Sequence, residues 1–204
     1  RRTMPLAKLQ GTDGRENFIL GEKGLAFGSI AKAGPEDDAV IIDLRADQDI
    51  LTLAGTPDDY LLRPTSIPFE VNGYRQYTTA LAIFLTDRTA RTKKFASGGS
   101  VEGNEITTIA WIVQPRSSTI SFDAWVKSLG LTPDTAANKP IDDYRKKLQQ
   151  TWGGEFTSSN YLVNKTGKPF VFDGSPAPMQ STGSARVVSN SPAGTELTIE
   201  QDGN

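Results

Sequence analysis

The sequence predicts an α+β or mainly β fold, in the form of an antiparallel, jelly-roll-like β-sandwich with two short inserted helices and an extended C-terminal arm. Two long runs of apolar residues and threonines, 76–86 and 106–114, are typical of central strands. Shorter β-branched runs separated by glycine and proline turns indicate further strands. With 37% hydrophobic and 23% charged residues, the 204-residue chain fits a globular domain over 1–173 and a Gly/Pro/Ser-rich linker with a C-terminal arm over 174–204.

The first predicted strands are short and bounded by turn residues. Residues 17–30 predict a hairpin, because two glycines in its centre permit the positive φ of a tight reversal. The β-branched run 39–45 predicts the next strand. The run 50–54 predicts another, ended by the turn signal at 55–59.

The strands predicted at 76–86 and 106–114 carry apolar residues or threonine on both faces. This pattern favours central strands covered on both sides. Pro115 ends the second strand, since proline has no N–H to donate to a ladder. The polar, glycine-rich segment 87–105 between them is unusually long for a loop in a compact domain, which favours a functional or mobile role.

Two helices are predicted after these strands. Ser121 is a favourable N-cap, and the first apolar stripe consists of Phe122, Trp125, Val126 and Leu129. The second helix is predicted to begin near Pro140 and to end at 153–154. Its stripe consists of Ile141, Tyr144, Leu148 and Trp152.

The C-terminal third contains three weaker strand signals. Residues 161–173 predict a hairpin around a turn at 164–169. Beyond the linker, 185–189 and 195–200 have strand propensity, but a lone hairpin is marginal in water. We therefore expect them to add to an exposed strand, either of the same subunit or of a neighbouring one.

The absence of cysteine and histidine excludes several kinds of chemistry. Disulfides, thiolate nucleophiles, zinc fingers, Ser-His-Asp triads and imidazole bases all require one of these residues. Neither glycine-rich nucleotide-binding pattern occurs, and no apolar run approaches the length of a membrane helix. We therefore expect no cofactor, no metal and no membrane partner.

A basic run inside the long loop is the sharpest candidate site. Its residues are Arg88, Arg91, Lys93, Lys94 and Phe95. Four cations within seven residues can neutralise phosphates, and an aromatic ring can stack on a base. This pattern predicts nucleic-acid binding without sequence readout, whereas the simpler interpretation is a solubilising loop between two strands.

Three weaker patterns have an ordinary structural interpretation beside a functional one. The Asn164-Lys165-Thr166 tripeptide matches a glycosylation acceptor, a pattern that recurs by chance. Three acids could chelate a divalent cation but are more typically solvated: Asp43, Asp47 and Asp49. Four aromatic residues could form a base- or sugar-binding platform but are more typically core residues: Tyr60, Phe69, Tyr74 and Tyr77.

These features together favour a non-catalytic structural or assembly protein, most concretely a viral coat subunit located in the virion. Its partners would be copies of itself and packaged nucleic acid contacted through phosphates. A basic loop and a long C-terminal arm suit that role by analogy with other coat subunits. The alternatives are a single-stranded nucleic-acid-binding protein of OB type and a carbohydrate-active enzyme that uses an Asp/Glu pair.

Overall fold

Strands outweigh helices in the structure, which confirms the α+β or mainly β prediction. The computed structural model describes residues 7–27, 39–71, 74–86, 105–115, 118–152, 161–176, 178–181 and 185–189. The strands are β1 (Ala7–Gln10), β2 (Glu16–Ile19), β3 (Gly21–Glu22), β4 (Leu25–Phe27), β5 (Ala39–Ile42), β6 (Ile50–Leu53), β7 (Tyr60–Val71), β8 (Tyr74–Thr86), β9 (Glu105–Val113), β10 (Leu131–Pro133), β11 (Leu162–Asn164), β12 (Phe170–Phe172), β13 (Met179–Ser181) and β14 (Arg186–Ser189). The helices are α1 (Phe122–Ser128) and α2 (Thr135–Trp152), with a 3-10 turn at Pro57–Asp59.

The described strands form three sheets. The largest has the order β1-β5-β9-β8-β7-β11-β10, the second β12-β6-β2-β14, and the third β13-β4-β3. Five pairings are parallel: β1 with β5, β5 with β9, β2 with β6, β12 with β6, and β13 with β4. For these five the expectation of antiparallel pairing is wrong. Each joins segments that are distant in sequence, so no local turn dictates the strand direction.

The central position of β8 and β9 in the large sheet is confirmed. On one face of β8, Leu81 and Ile83 belong to the main core. On the other face, Ala82 and Phe84 belong to a second apolar cluster. Burial on both faces is the physical reason that the strand shows no polar alternation.

The main core is shared by the seven-stranded and four-stranded sheets. Ile112 of β9 lies in the same buried cluster as three residues of the smaller sheet: Phe18, Leu51 and Phe170. Trp125 of α1 also belongs to this cluster. The turn that precedes β6 lies beside α1, since residues of both line one groove.

Both predicted helices are present after β9. Ser121 is the N-cap of α1, and its hydroxyl accepts the N–H of Ala124 at 3.3 Å. The second helix begins at Thr135 rather than near Pro140. The carboxylate of Asp134 accepts the N–H of Ala137 at 2.8 Å, so a buried aspartate caps the helix more than one turn earlier than predicted.

The two predicted hairpins have different outcomes. The reversal within 17–30 is confirmed in a tighter form, since β3 and β4 pair antiparallel around Lys23 and Gly24, which both have positive φ. The hairpin predicted at 161–173 is wrong. Its two strands exist, but β11 pairs with β7 and β10, whereas β12 pairs with β6 in the other sheet.

Two short strands of the predicted arm pair within the same chain. The third sheet contains β13, and β14 lies antiparallel along β2 with Val187 in the main core. The same-subunit alternative therefore holds for 186–189. The second strand signal of the arm, 195–200, lies outside the described residues.

Candidate functional site

The five residues predicted to contact nucleic acid lie outside the described residues. Arg88, Arg91, Lys93, Lys94 and Phe95 all fall in the segment between β8 and β9. Their role in phosphate binding therefore stays a prediction. The functional surfaces described below come from other parts of the chain.

The most extended feature is a two-stranded ribbon formed by the ends of β7 and β8. These strands pair over twelve residues, from Tyr60 opposite Leu85 to Val71 opposite Tyr74. Among the described strands, β9 flanks β8 only from Ala80 onward, and β11 meets β7 only at Leu62. Residues 66–71 and 74–79, hereafter the ribbon, thus continue for about 20 Å with no third described strand beside them.

The two faces of the ribbon differ in exposure. Ile67 is buried and belongs to the second apolar cluster. Ser66, Tyr77 and Thr79 are exposed, and Tyr77 exposes 73% of its surface, more than any other large hydrophobic side chain whose exposure the structure describes. Tyrosine is enriched among the residues that anchor protein–protein interfaces.

Of the four residues of the predicted aromatic platform, the side chains of Phe69 and Tyr74 lie outside the described residues, and the other two do not share a surface. Tyr60 lies in the main core at 1% exposure, whereas Tyr77 lies on the exposed face of the ribbon. Tyr60 therefore cannot contribute to a surface platform. Its position at the start of β7, beside core strands, gives it the ordinary core role.

A buried charged cluster joins β2 to the turn before β6. The side chains of Glu16 and Asp49 are fully buried, and Arg45 lies 3.6 Å from the Glu16 carboxylate and 3.8 Å from the Asp49 carboxylate. Arg45 also donates to the carbonyls of Thr12 and Gly14. The backbone N–H groups of Glu16 and Arg45 both donate to Asp49, at 3.1 and 2.7 Å.

The electrostatics of this cluster favour structure over catalysis. Burial, helped by the neighbouring Glu16 carboxyl, raises the pKa of Asp49 despite the two backbone hydrogen bonds that act in the opposite direction. A carboxyl pair of this kind is what the glycosidase alternative requires. Here, however, both groups have no exposed surface and are held by Arg45, so a sugar could not reach them.

The three acids considered as a cation site do not form a common ligand set. Asp49 is buried against Arg45, Asp47 is exposed, and Asp43 accepts a long 3.5 Å hydrogen bond from the amide of Gln10. Within the described residues, no group of three or more acidic side chains is placed to hold a metal ion.

An open groove of about 430 Å³ lies between this turn and α1. Its lining residues are Leu44, Arg45, Ala46, Asp47, Pro115, Ser118, Ile120, Trp125 and Ser128. The indole N–H of Trp125 is buried and has no hydrogen-bond partner among the described residues. The groove is lined by both apolar and polar side chains.

A second polar cluster surrounds Asp173, just after β12. One oxygen of its carboxylate accepts the N–H groups of Gly55 and Ser175 at 2.8 and 2.9 Å, and the Ser175 hydroxyl at 2.5 Å. Desolvation raises the pKa of this exposed carboxyl, but these hydrogen bonds and one from the Lys23 backbone outweigh it and lower the pKa to about 2. The cluster ties the end of β12 to the turn after β6.

Tyr60 lies close to this second cluster. Its ring centroid is 6.0 Å from that of Phe172. Burial, followed by the negative charges of Asp59 and Asp173, raises the pKa of the Tyr60 hydroxyl well above its usual range. This hydroxyl stays protonated at physiological pH, so it is not a candidate base.

Asn164 is not available as a glycosylation acceptor in the folded chain. Its side chain is buried and donates to the carbonyls of Leu129 and Lys168 at 2.9 and 3.0 Å. Its oxygen accepts the N–H of Gly167 at 3.1 Å. The tripeptide is therefore explained by the turn that it stabilises.

Neither described helix has the length and apolar character needed to span a bilayer. No family model, no curated protein and no solved structure matches the chain.

Proposed function

We propose that the protein is a non-catalytic structural subunit that assembles with copies of itself, in the concrete form of a viral coat subunit. The observation that carries this proposal is the ribbon, which extends past the flanking described strands and presents Tyr77 on its exposed face. Strand extensions of this kind give a subunit backbone groups and aromatic area with which to engage a neighbour.

The arrangement of the sheets supports the same role. Residues of the seven-stranded and four-stranded sheets share one core, and we propose that the two sheets form a sandwich. Five parallel pairings set this chain apart from a jelly roll, whose strands are antiparallel. Of the predicted jelly-roll-like sandwich, we therefore propose only the sandwich and not the jelly-roll topology.

The buried state of the Glu16 and Asp49 pair favours assembly over the carbohydrate-active alternative. In this pair both side chains are fully buried, Arg45 lies 3.6 and 3.8 Å from the two carboxylates, and the Thr12 hydroxyl donates to Glu16. A sealed pair stabilises a fold, whereas a glycosidase needs two carboxyl groups open to its substrate.

The size of the pure full-length protein tests the proposal. Light scattering and negative-stain microscopy should show closed or helical particles, or oligomers that grow with concentration. A variant in which residues 68–77 are replaced by Asn-Gly should retain its circular dichroism, because Ile67 and Thr78 are already paired and would close the shortened hairpin. The same variant should lose assembly.

Two results would contradict the proposal. Wild-type protein that stays monomeric up to millimolar concentration would exclude self-assembly as its function. Particles that form equally well from the shortened variant would show that the ribbon does not carry assembly.

A further inference from the structure

The buried cluster of Glu16, Arg45 and Asp49 holds two acids against one base. Both carboxyl side chains have no exposed surface, and the Arg45 guanidinium lies 3.6 Å from the Glu16 carboxyl and 3.8 Å from that of Asp49. If both carboxyl groups were ionised, one negative charge would stay unbalanced in the interior. An unbalanced buried charge strongly destabilises a fold.

One oxygen of the carboxyl pair also lacks a hydrogen-bond partner. The Thr12 hydroxyl donates to Oε1 of Glu16, whereas the buried Oε2 accepts no hydrogen bond within the described part of the chain. The two Asp49 oxygens, in contrast, accept the backbone N–H groups of Glu16 and Arg45. The unfilled position therefore belongs to Glu16.

A single proton between the two carboxyl groups would remove both deficits. The two side chains are close enough for a hydrogen bond, which forms only if one of them is protonated. With that proton, one negative charge remains and Arg45 balances it. Burial, this contact and the charge of Glu16 all raise the pKa of Asp49, against the effect of its two backbone hydrogen bonds.

The other charged side chains on the neighbouring segments are exposed or bonded elsewhere. Asp43 accepts a hydrogen bond from Gln10, and Arg186 of β14 pairs with Glu22. The exposed ones, in the turn before β2, the turn before β6 and α1, are Asp13, Arg15, Asp47, Asp123 and Lys127. Water and salt screen exposed charges, so the proton balance of the pair is set within the cluster.

We propose that Glu16 and Asp49 share one proton in the folded chain at pH 6, where exposed carboxyl groups have lost theirs, and that the loss of this proton at higher pH weakens the attachment of β2 to the turn before β6. The cluster is then a pH-sensitive latch within the four-stranded sheet, which contains both β2 and β6. This inference concerns the fold of a single chain and does not depend on the proposed assembly function.

The direction of the pH effect follows from the number of bound protons. In the unfolded chain both carboxyl groups are ionised above about pH 5, so unfolding at pH 6 releases the shared proton. Each unit of rising pH therefore increases the unfolding equilibrium constant by up to about tenfold through this site. The increase ends where the folded chain has lost the proton as well.

Glu16→Gln in the full-length protein tests the latch. An amide has the shape of the carboxyl group, and its NH2 donates to Asp49 without a shared proton. The matched control is Glu22→Gln, because Glu22 also pairs with an arginine but is 37% exposed. Urea unfolding at one protein concentration gives the unfolding equilibrium constants.

From pH 5 to pH 8, the constant of the wild type should rise about tenfold relative to that of Glu16→Gln. Relative to Glu22→Gln it should change by less than about twofold, since exposed pairs contribute little. A ratio to Glu16→Gln that stays constant or falls would overturn the inference. A rise of equal size against both variants would also overturn it, because the effect would not come from the buried pair.

Infrared spectroscopy detects the shared proton directly. At pH 6 in D2O, the wild type and Glu22→Gln should both show the carbonyl stretch of a protonated carboxyl group, and Glu16→Gln should lose that intensity. Equal intensity in all three proteins would place the proton elsewhere and overturn the inference. Absence of the band from the wild type would do the same.

Carbon-13 NMR of the wild type applies if Glu16→Gln does not fold. The carboxyl carbons of Glu16 and Asp49 should still change in chemical shift above pH 6, where exposed acids have completed their titration. Completion of the titration of both residues below pH 6 would show that the pair holds no shared proton.

Discussion

At the residue scale, burial decides which of the charged side chains matter for stability. Arg45 and Arg186 each pair with a glutamate, at 3.6 Å to Glu16 and 3.0 Å to Glu22. The Glu16 side chain is fully buried, whereas that of Glu22 is 37% exposed. The loss of the longer contact should therefore lower the free energy of unfolding more, since a buried charge without a partner destabilises the fold.

Substitution of the two arginines tests this difference. Arg45→Met should lower the free energy of unfolding by about 3 kcal/mol, because Glu16 and Asp49 would keep their burial and lose their cation. Arg186→Met should cost less than about 1 kcal/mol, as partly exposed pairs do. Urea unfolding at pH 7 measures both. A smaller loss for Arg45→Met than for Arg186→Met would contradict the structural role of the cluster.

Asp173 predicts a pH dependence of stability at the acidic end. Its pKa is about 2 in the folded chain and near 3.8 when unfolded, so the ionised carboxylate stabilises the fold above pH 4. That contribution is lost as pH falls through 2. Asp173→Asn keeps an acceptor oxygen but has no charge, so the stability difference from wild type should shrink between pH 4 and pH 2. Denaturation curves across this range measure it.

The matched control for that prediction is Asp47→Asn, which changes an exposed acid in a turn. Its stability difference from wild type should stay constant over the same pH range. A difference for Asp173→Asn that is constant or grows on acidification would show that its hydrogen bonds do not depend on charge.

At the element scale, the buried amide of Asn138 joins α2 to Tyr161, just before β11. The Asn138 side chain donates to the carbonyl of Tyr161 at 2.8 Å and accepts the Tyr161 N–H at 2.7 Å. Asn138→Ala should therefore lower the free energy of unfolding by about 2–3 kcal/mol, because two buried hydrogen bonds are lost and an N–H loses its acceptor. Thermal unfolding followed by circular dichroism provides the measurement.

The neighbouring residue supplies the control. Lys139 is exposed and pairs with Asp143, one turn away on the same helix. Lys139→Ala should leave the unfolding free energy nearly unchanged, since exposed i,i+4 pairs contribute little. Comparable losses for the two variants would mean that Asn138 does not anchor the helix. The side chain of Trp152, the last residue of the predicted stripe of this helix, lies outside the described residues.

Local signals in the sequence identified several elements correctly. Two-sided apolar runs located β8 and β9, and Ser121 located the start of α1. In contrast, β7 was missed, although Asn72-Gly73 between its end and β8 is a strong hairpin signal. Two prolines inside β7 weaken the strand prediction, because proline is tolerated within a strand only where its nitrogen faces an unpaired edge.

The pairing partners of the strands could not be predicted from local sequence signals. Asn164 holds the turn after β11 by bonding Leu129, Gly167 and Lys168, so the chain passes to the other sheet instead of reversing. The buried pair of Glu16 and Asp49 could not be predicted either, since it joins residues 33 positions apart. Long-range packing decides such contacts, and residue spacing carries no signal for them.

At the scale of the whole molecule, the chain uses its C-terminal part to complete sheets begun near the N-terminus. Val187 of β14 is buried in the main core, and β14 covers the edge of β2. Arg186 adds an ion pair with Glu22 across the two ends of the chain. A bridging arm, if the assembly proposal holds, therefore begins after 189 rather than at 174.

Two truncations test this division. Deletion of 182–204 removes β14, so it should lower the free energy of unfolding by at least about 2 kcal/mol through the loss of Val187 burial and should expose the β2 edge. Deletion of 190–204 keeps β14, so it should leave circular dichroism and thermal stability nearly unchanged while abolishing particle formation. The acids that it removes, Glu196, Glu200 and Asp202, would otherwise meet a basic surface on a neighbouring subunit. Unfolding of the shorter deletion would place those residues in the monomer's own fold, and intact particles would exclude them from the contact between subunits.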